Sequence, residues 1–267
     1  MIEKIFIFLL AISPKLKKFL WKRWYQILAN YKKDSTWKFM NYGFIDSKIE
    51  IINLDLSDEP DRESIQLYHH VASKTTVENK TILEVGSGRG GGASFIAKFF
   101  NPFMMFGIDI SPNAVRLSNN FYNQKNLNFK VGDSENIPFP DNYFDVVINV
   151  ESSHCYGSME KFLLEVKRVL KPGGYFSWAD LDGANMERFN QNVFLNSGMK
   201  IISEEIITEN VLAGLDSMSD KREKAIIENT PKLFLNSVKT FAGVKGTEIY
   251  NSFKNGKMVY LSKLLQK

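Results

Sequence analysis

The stretch Thr81-Ile82-Leu83-Glu84-Val85-Gly86-Ser87-Gly88-Arg89-Gly90-Gly91-Gly92 decides how this 267-residue chain is read. Thr81–Val85 is an apolar run of strand length. It breaks into a glycine-rich turn, and an apolar helical pattern follows from Gly91 to about Phe100. Glycine is needed where the backbone turns tightly or approaches a ligand that a Cβ would strike. A strand–turn–helix of this kind puts the turn outside the carboxyl end of a parallel strand, where open α/β sheets bind ligands. Gly86, Gly88 and Gly91 also satisfy G-x-G-x-x-G, the dinucleotide fingerprint. Taken alone, the motif leaves a dinucleotide, another ligand and a plain structural turn all open.

Four further pieces follow in order. Phe106-Gly107-Ile108-Asp109-Ile110 is a second strand ending in an acid, 23 residues after Gly86. An acid there can accept hydrogen bonds from both hydroxyls of a ribose. Val131-Gly132-Asp133-Ser134-Glu135-Asn136-Ile137-Pro138-Phe139 is a third strand followed by an acid, and Asp133 is placed to accept from an adenine amino group. Phe144–Val150 reads as a buried fourth strand. Arg168-Val169-Leu170-Lys171-Pro172-Gly173-Gly174 ends a helix and leads into a strand over Tyr175–Asp180, with Pro and Gly marking the stop.

Taken together, Thr81–Asp180 resembles the class I S-adenosylmethionine (SAM)-dependent methyltransferases. Their motifs are E-x-G-x-G-x-G, an acid after the second strand, G-D-x-x-x-x-P-F and L-K-P-G-G. The resemblance implies an α/β fold: a Rossmann-like seven-stranded methyltransferase sheet with helices on both faces, preceded by an N-terminal helical lid. It implies SAM as cofactor and S-adenosylhomocysteine as product. It assigns Glu84, Gly86, Ser87, Gly88 and Gly90 to the methionine end, Asp109 with Ile110 to the ribose, and Asp133, Ser134 and Glu135 to the adenine. Asn149 completes the expected cofactor set. The family often has Ala where Ser134 stands.

The fourth strand runs into Glu151-Ser152-Ser153-His154-Cys155-Tyr156-Gly157, at the end of the sheet where the transferring methyl group is expected. His154, with an ordinary pKa near neutrality, suits a general base. Asp180, ending the next strand, can orient its imidazole as the acid of a triad does. Glu151 is a third catalytic candidate with its role open, and Cys155 reads as a small packing residue. The reaction would be an in-line displacement, in which alignment supplies roughly 7–11 kcal/mol of the barrier and a base about 10²–10⁴-fold.

The stretches Met40–Phe44, Leu56–Arg62, Ile65–His70, Glu151–Tyr156, Ile207–Leu212 and Gly243–Tyr260 narrow the resemblance to the phthiotriolone/phenolphthiotriolone dimycocerosate methyltransferases, which O-methylate a hydroxyl of a polyketide-derived lipid. Their loop often has Pro where Gly157 stands. The resemblance implies a SAM-dependent transfer to a hydroxyl of a lipid or polyketide-like molecule. C-methylation of an isoprenoid or sterol-like acceptor, and a SAM-binding membrane-associated module without turnover, stand beside it as rival readings. Tyr42, Phe44, Tyr68, His69, His70 and Tyr156 are the candidate acceptor-pocket liners, with plain core as the competing role for the aromatics.

Three segments follow: a hydrophobic leader and basic amphipathic helix over 1–33, a lid over 34–78, and a SAM-binding domain over 79–267. Helices near 203–238 would wall the acceptor pocket. A hairpin of Glu248–Phe253 and Met258–Leu264, turned at Asn255-Gly256, would complete the sheet. Residues 1–38 hold nine Lys/Arg against Glu3 and Asp34, so the net charge of +4 belongs to the N-terminus and the remainder is slightly acidic. That balance argues against nucleic acid as a partner. Leu16, Phe19, Leu20, Trp24, Ile27, Leu28 and Tyr31 form one apolar stripe of period 3.6. Such a helix either lies on an anionic membrane or packs on its own domain. The apolar run Ile5–Ile12 falls short of the roughly 20 residues a membrane span needs. One cysteine allows no intramolecular disulfide and fits a cytoplasmic location, with or without membrane contact. The three histidines and one cysteine have no zinc-ligand spacing.

Overall fold

In the computed structural model, the seven strands are β1 (Thr81–Val85), β2 (Met104–Asp109), β3 (Leu127–Val131), β4 (Phe144–Val150), β5 (Leu170–Gly183), β6 (Lys200–Ile206) and β7 (Met258–Gln266). They form one sheet in the order β3-β2-β1-β4-β5-β7-β6. The first five are parallel, and β7 runs antiparallel between β5 and β6. The structure describes residues 37–47, 52–186, 189 and 191–267, together with Arg23. The expected leader and basic helix over 1–33 therefore lie outside the described residues, Arg23 apart. Among the described residues no helix is long and apolar enough to cross a membrane.

Among the described residues, eight α-helices connect and flank the strands: α1 (Arg62–Ala72), α2 (Gly91–Phe99), α3 (Pro112–Phe121), α4 (Met159–Val169), α5 (Gln191–Leu195), α6 (Thr208–Asn229), α7 (Leu235–Phe241) and α8 (Glu248–Lys254). Alternation along the strands builds two cores. Ile82 packs with Val71, Ala93 and Ile96 of α1 and α2. Leu83 and Val85 point the other way, toward Phe162 and Val166 of α4 and the buried Trp178. Local chemistry starts the helices. Ser111 caps α3 by accepting from the Ala114 N–H, with Pro112 opening the first turn, and Ser158 caps α4 by accepting from Lys161 N–H.

From β1 the chain goes to β2 and β3 on one side and returns to β4 on the other. The carboxyl ends of β1 and β4 thus flank the crevice where the strand order reverses, which is where such sheets hold ligands.

Two local expectations are corrected. Ser203–Ile206 belongs to β6, and the helix begins only at Thr208. The edge strand alternates exposed and half-buried side chains from Lys200 through Ser203, so period 2 governs there. Glu248–Phe253 is a helix, not the first arm of a hairpin. Tyr250 and Phe253, three apart, fall on one face and are buried, while Gly256 at φ +67° takes the left-handed turn that ends the helix.

Candidate active site

The crevice is a cavity bounded on one side by Gly86–Arg89 and Gly91–Gly92, and on the other by Val150–Ser152 and His154–Tyr156. Gly86 and Ser87 donate their N–H groups to the Ile108 carbonyl of β2, at 2.8 and 2.9 Å, which fixes the turn against the sheet. Gly86 has φ +77°, and a Cβ there would lie 2.3 Å from Ser152 Oγ. The loop is thus bare where it faces Ser152 and Tyr156 on the opposite wall.

Asp109 lines the cavity at the end of β2. Its Oδ2 accepts from Gly88 N–H at 2.9 Å and its Oδ1 from Ser111 N–H at 2.8 Å. Burial raises its pKa to about 6, against those two hydrogen bonds. Ile110, Gly132, Ser134 and Glu135 continue the same wall. Asp133 is not among the lining residues; its Oδ1 accepts from Glu135 N–H at 3.0 Å and shapes the turn.

Glu84 is fully buried behind the glycine loop, where Tyr68 OH donates to its Oε1 at 2.7 Å. Desolvation pushes its pKa up to about 8, partly offset by that hydroxyl. Its other oxygen, Oε2, has no hydrogen-bond partner, and neither do the buried Ser87 Oγ and Asn149 Oδ1. Buried polar atoms are nearly always satisfied; of these three residues only Ser87 lines the cavity, so its hydroxyl is the one that points to a polar group from outside the chain. Asn149 also pins the wall: its Nδ2 donates to Val85 O, Ser152 Oγ and Tyr156 OH at 2.8, 2.8 and 2.9 Å. Gly90, at φ +81°, caps α2 beneath Phe129 rather than lining the cavity.

On the opposite wall, His154 sits in a short turn, Ser153–Cys155, after β4. Its Nδ1 lies 2.7 Å from Asp180 Oδ1, and its backbone N–H donates to Asp180 Oδ2 at 3.0 Å. Ser153 Oγ donates to the same carboxylate at 2.6 Å and accepts from Trp178 Nε1 at 2.9 Å. Asp180 is fully buried. Burial alone would raise its pKa, but the His154 charge and these hydrogen bonds hold it below the usual carboxylate range. An ionised Asp180 accepts only, so Nδ1 carries the proton and the basic lone pair of the neutral ring is on Nε2. Burial pushes the imidazole pKa down, but Cys155 and Asp180 outweigh it and hold the value well above 6.5.

Glu151 adopts φ +47°, a backbone region that residues with a side chain seldom occupy. Its Oε2 accepts from Tyr42 N–H and from Tyr260 OH, both at 2.9 Å. Burial raises its pKa to about 7, against the Tyr42 hydrogen bond and the His154 charge.

The six aromatic and histidine candidates separate. Tyr42, Tyr68 and Tyr156 line the cavity. Phe44, His69 and His70 do not. Successive residues on a helix point about 100° apart, so Tyr68, His69 and His70 cannot share a face. His69 meets the rings of Phe99 and Phe100. His70 stacks on Phe44 at 4.6 Å, and burial takes its pKa down to about 4.

Other residues at the site carry no local sequence signature. The segment Trp37–Gly43 crosses the cavity, and Lys38, Phe39, Met40 and Asn41 join Tyr42 in lining it. Arg89 Nε donates to Trp37 O at 2.5 Å, and its guanidinium lies 5.2 Å from the Trp37 ring centroid. Arg222 of α6 donates to Asn41 O at 3.0 Å and Ala242 O at 2.7 Å. A charged residue inside a glycine motif was the one visible hint; Arg222 and Tyr260 are too distant in sequence to give one.

Residues 83–178 match the family described as "Methyltransferase domain". The chain is 35% identical over 250 residues to the "Phthiotriol/phenolphthiotriol dimycocerosates methyltransferase" of Mycobacterium leprae (strain TN), covering 94% of this chain and 93% of that protein. It is 38% identical over 213 residues to the "Fatty-acid O-methyltransferase" of Mycolicibacterium smegmatis, covering 78% and 76%. Among solved structures, the geranyl diphosphate C-methyltransferase of Streptomyces coelicolor A3(2), crystallised with Mg2+, geranyl diphosphate and S-adenosylhomocysteine, shares the fold with TM-score 0.65 at 14% identity, covering 92% and 97%. Identity that low carries the fold and no chemistry. Sheet order, glycine loop and relatedness over nearly the whole length agree, and the chain belongs to the class I SAM-dependent methyltransferases.

Proposed function

We propose that the protein transfers the methyl group of SAM to a hydroxyl of a lipid or polyketide-like molecule, with His154 as the general base and S-adenosylhomocysteine as the product. The single observation carrying the reading is the His154–Asp180 pair, with His154 on the wall of the cavity and Asp180 buried behind it. The printed names of two relatives support a lipid acceptor.

The residues present fit the cofactor. The unpartnered Ser87 Oγ on the cavity wall suits its methionine end, Asp109 its ribose, and Gly132, Ser134 and Glu135 its adenine, with Glu84 buried behind the glycine loop. When bound, SAM supplies the electrophilic methyl on its sulfonium, so the hard chemistry belongs to the cofactor. The chain aligns the acceptor, excludes water and takes a proton. His154 Nε2 receives the hydroxyl proton while Asp180 holds the tautomer and balances the imidazolium. Tyr42, Cys155, Tyr156 and Phe241 wall that end of the cavity.

A second reading, methylation at carbon, has one observation in its favour: the Glu151 carboxylate and the rings of Tyr42 and Tyr156 share the cavity and would steady a carbocation.

The test incubates the protein with methyl-labelled SAM and a lipid extract of its source cells, then locates organic-phase label by mass spectrometry. Label on oxygen, reduced about 10²–10⁴-fold by His154→Ala with SAM affinity kept, is the expected result. Label on carbon selects the second reading. Loss of SAM affinity in His154→Ala removes the base assignment.

A further inference from the structure

The segment Trp37–Gly43 is gripped by its main chain, and its residues Lys38–Tyr42 line the cavity. Arg89 holds the carbonyl of Trp37, and Arg222 holds that of Asn41. A Cβ on Gly91 would stand 2.6 Å from Lys38 O, so the strap rests directly on the start of α2. Phe44 N–H donates to Glu63 O at 2.9 Å just beyond. The remaining grip, at Tyr42 N–H, comes from Glu151, and it is the one made by the catalytic loop itself. The same Glu151 oxygen accepts from Tyr260 OH of β7, a residue that does not line the cavity. Three segments far apart in sequence thus meet at one carboxylate oxygen, presented by a residue held in a left-handed backbone conformation. Because the strap and the glycine loop line the same cavity, a ligand lying along the glycine loop is covered by the strap.

We infer that Glu151 is a positioning residue: supported by Tyr260, it ties the strap to the loop that carries His154, so that closing the strap over SAM and setting the base in place are one event. This rests on the proposed SAM site and is independent of the acceptor. The working contact is an oxygen that accepts two hydrogen bonds, not a proton acceptor in the reaction. Glutamine retains such an oxygen. Glycine lacks it and tolerates the left-handed backbone.

The experiment measures SAM dissociation from the full-length protein by stopped-flow displacement with S-adenosylhomocysteine, for the unaltered protein and for Glu151→Gly, Glu151→Gln and Tyr260→Phe. Removing a hydrogen bond to a charged acceptor should speed release about tenfold in Glu151→Gly and several-fold in Tyr260→Phe. Glu151→Gln should restore slow release to within about threefold of the unaltered protein. Thermal melting of each variant checks the fold, and Tyr260→Phe keeps the core ring. If all three variants release SAM at the original rate, the tie is overturned. If Glu151→Gln releases as fast as Glu151→Gly, charge rather than the accepted hydrogen bonds holds the strap, and the inference is overturned. If the unaltered protein binds no SAM, the cofactor site itself falls, a failure distinct from the other two.

Discussion

At the scale of single residues, the proposed role of His154 as base predicts that the His154–Asp180 pair makes activity and stability run in opposite directions with pH. The folded pKa of His154 lies well above its ordinary 6.5. The pair therefore stabilises the fold fully below about pH 6.5, and that contribution is lost as the pH rises through the folded pKa. A base must be neutral, so turnover rises through the same window in which that stability is lost. The rising limb of kcat/KM against pH should lie above 6.5. Asp180→Asn removes the charge that raises the imidazole pKa and turns one of the two accepting oxygens into a donor, so the tautomer is no longer fixed. It should move the limb down and cut turnover by up to about 10⁴-fold. A limb that stays where it was would show that His154 is not the titrating base. Both residues were legible in the sequence because His154 follows the apolar strand β4 and Asp180 lies toward the carboxyl end of the apolar strand β5, the ligand edge of a parallel sheet. The grips on Trp37 and Tyr42 were not, because a carbonyl or an N–H looks the same in every residue. Phe44, His69 and His70 misled for the converse reason: aromatic and imidazole side chains suit a pocket wall and a core equally, and the rotation of α1 decides between them.

At the scale of elements, the glycine loop separates two demands that its motif merges. Gly86 and Gly88 both have positive φ, but their surroundings differ. A methyl on Gly86 meets Ser152 Oγ and Tyr156 OH at 2.3 and 2.7 Å, both held in the Asn149 network. On Gly88 it meets only the flexible end of Met40, at 2.8 Å. Gly86→Ala should thus weaken SAM binding far more than Gly88→Ala, measured as Kd by calorimetry; the reverse order would mean that the ligand presses on Gly88 harder than the protein presses on Gly86. The strands around this loop could be read from their apolar runs and glycine stops, which are local. α8 could not. Glu248–Phe253 mixes polar and aromatic residues that suit either period, and the core below Tyr250 and Phe253 selects the helix.

At the scale of the whole molecule, the sheet order follows from the chain's own sequence of motifs, whereas the closing of the site depends on contacts across more than a hundred residues, such as Tyr42 with Glu151. The cavity is bounded by the strap, the glycine loop and the ends of β2 and β4, so a ligand filling it touches all of them at once. SAM at a hundred times its Kd should raise unfolding stability by about 2.7 kcal/mol. For a chain of this size that is roughly 2–4 °C in Tm for each kcal/mol, read by differential scanning calorimetry. No shift under saturating SAM would mean that the ligand binds the folded and unfolded chains alike.

The buried Trp178 gives the molecule an optical handle on its own chemistry. Its indole N–H bonds to Ser153 Oγ, that hydroxyl bonds to Asp180, and Asp180 holds His154. A fluorophore sits one hydroxyl and one carboxylate away from the base, inside a dry core. Each change of charge on the imidazole alters the electric field at the indole, so the share of the emission that belongs to Trp178, one of four tryptophans in the chain, is a label-free readout of the protonation of His154.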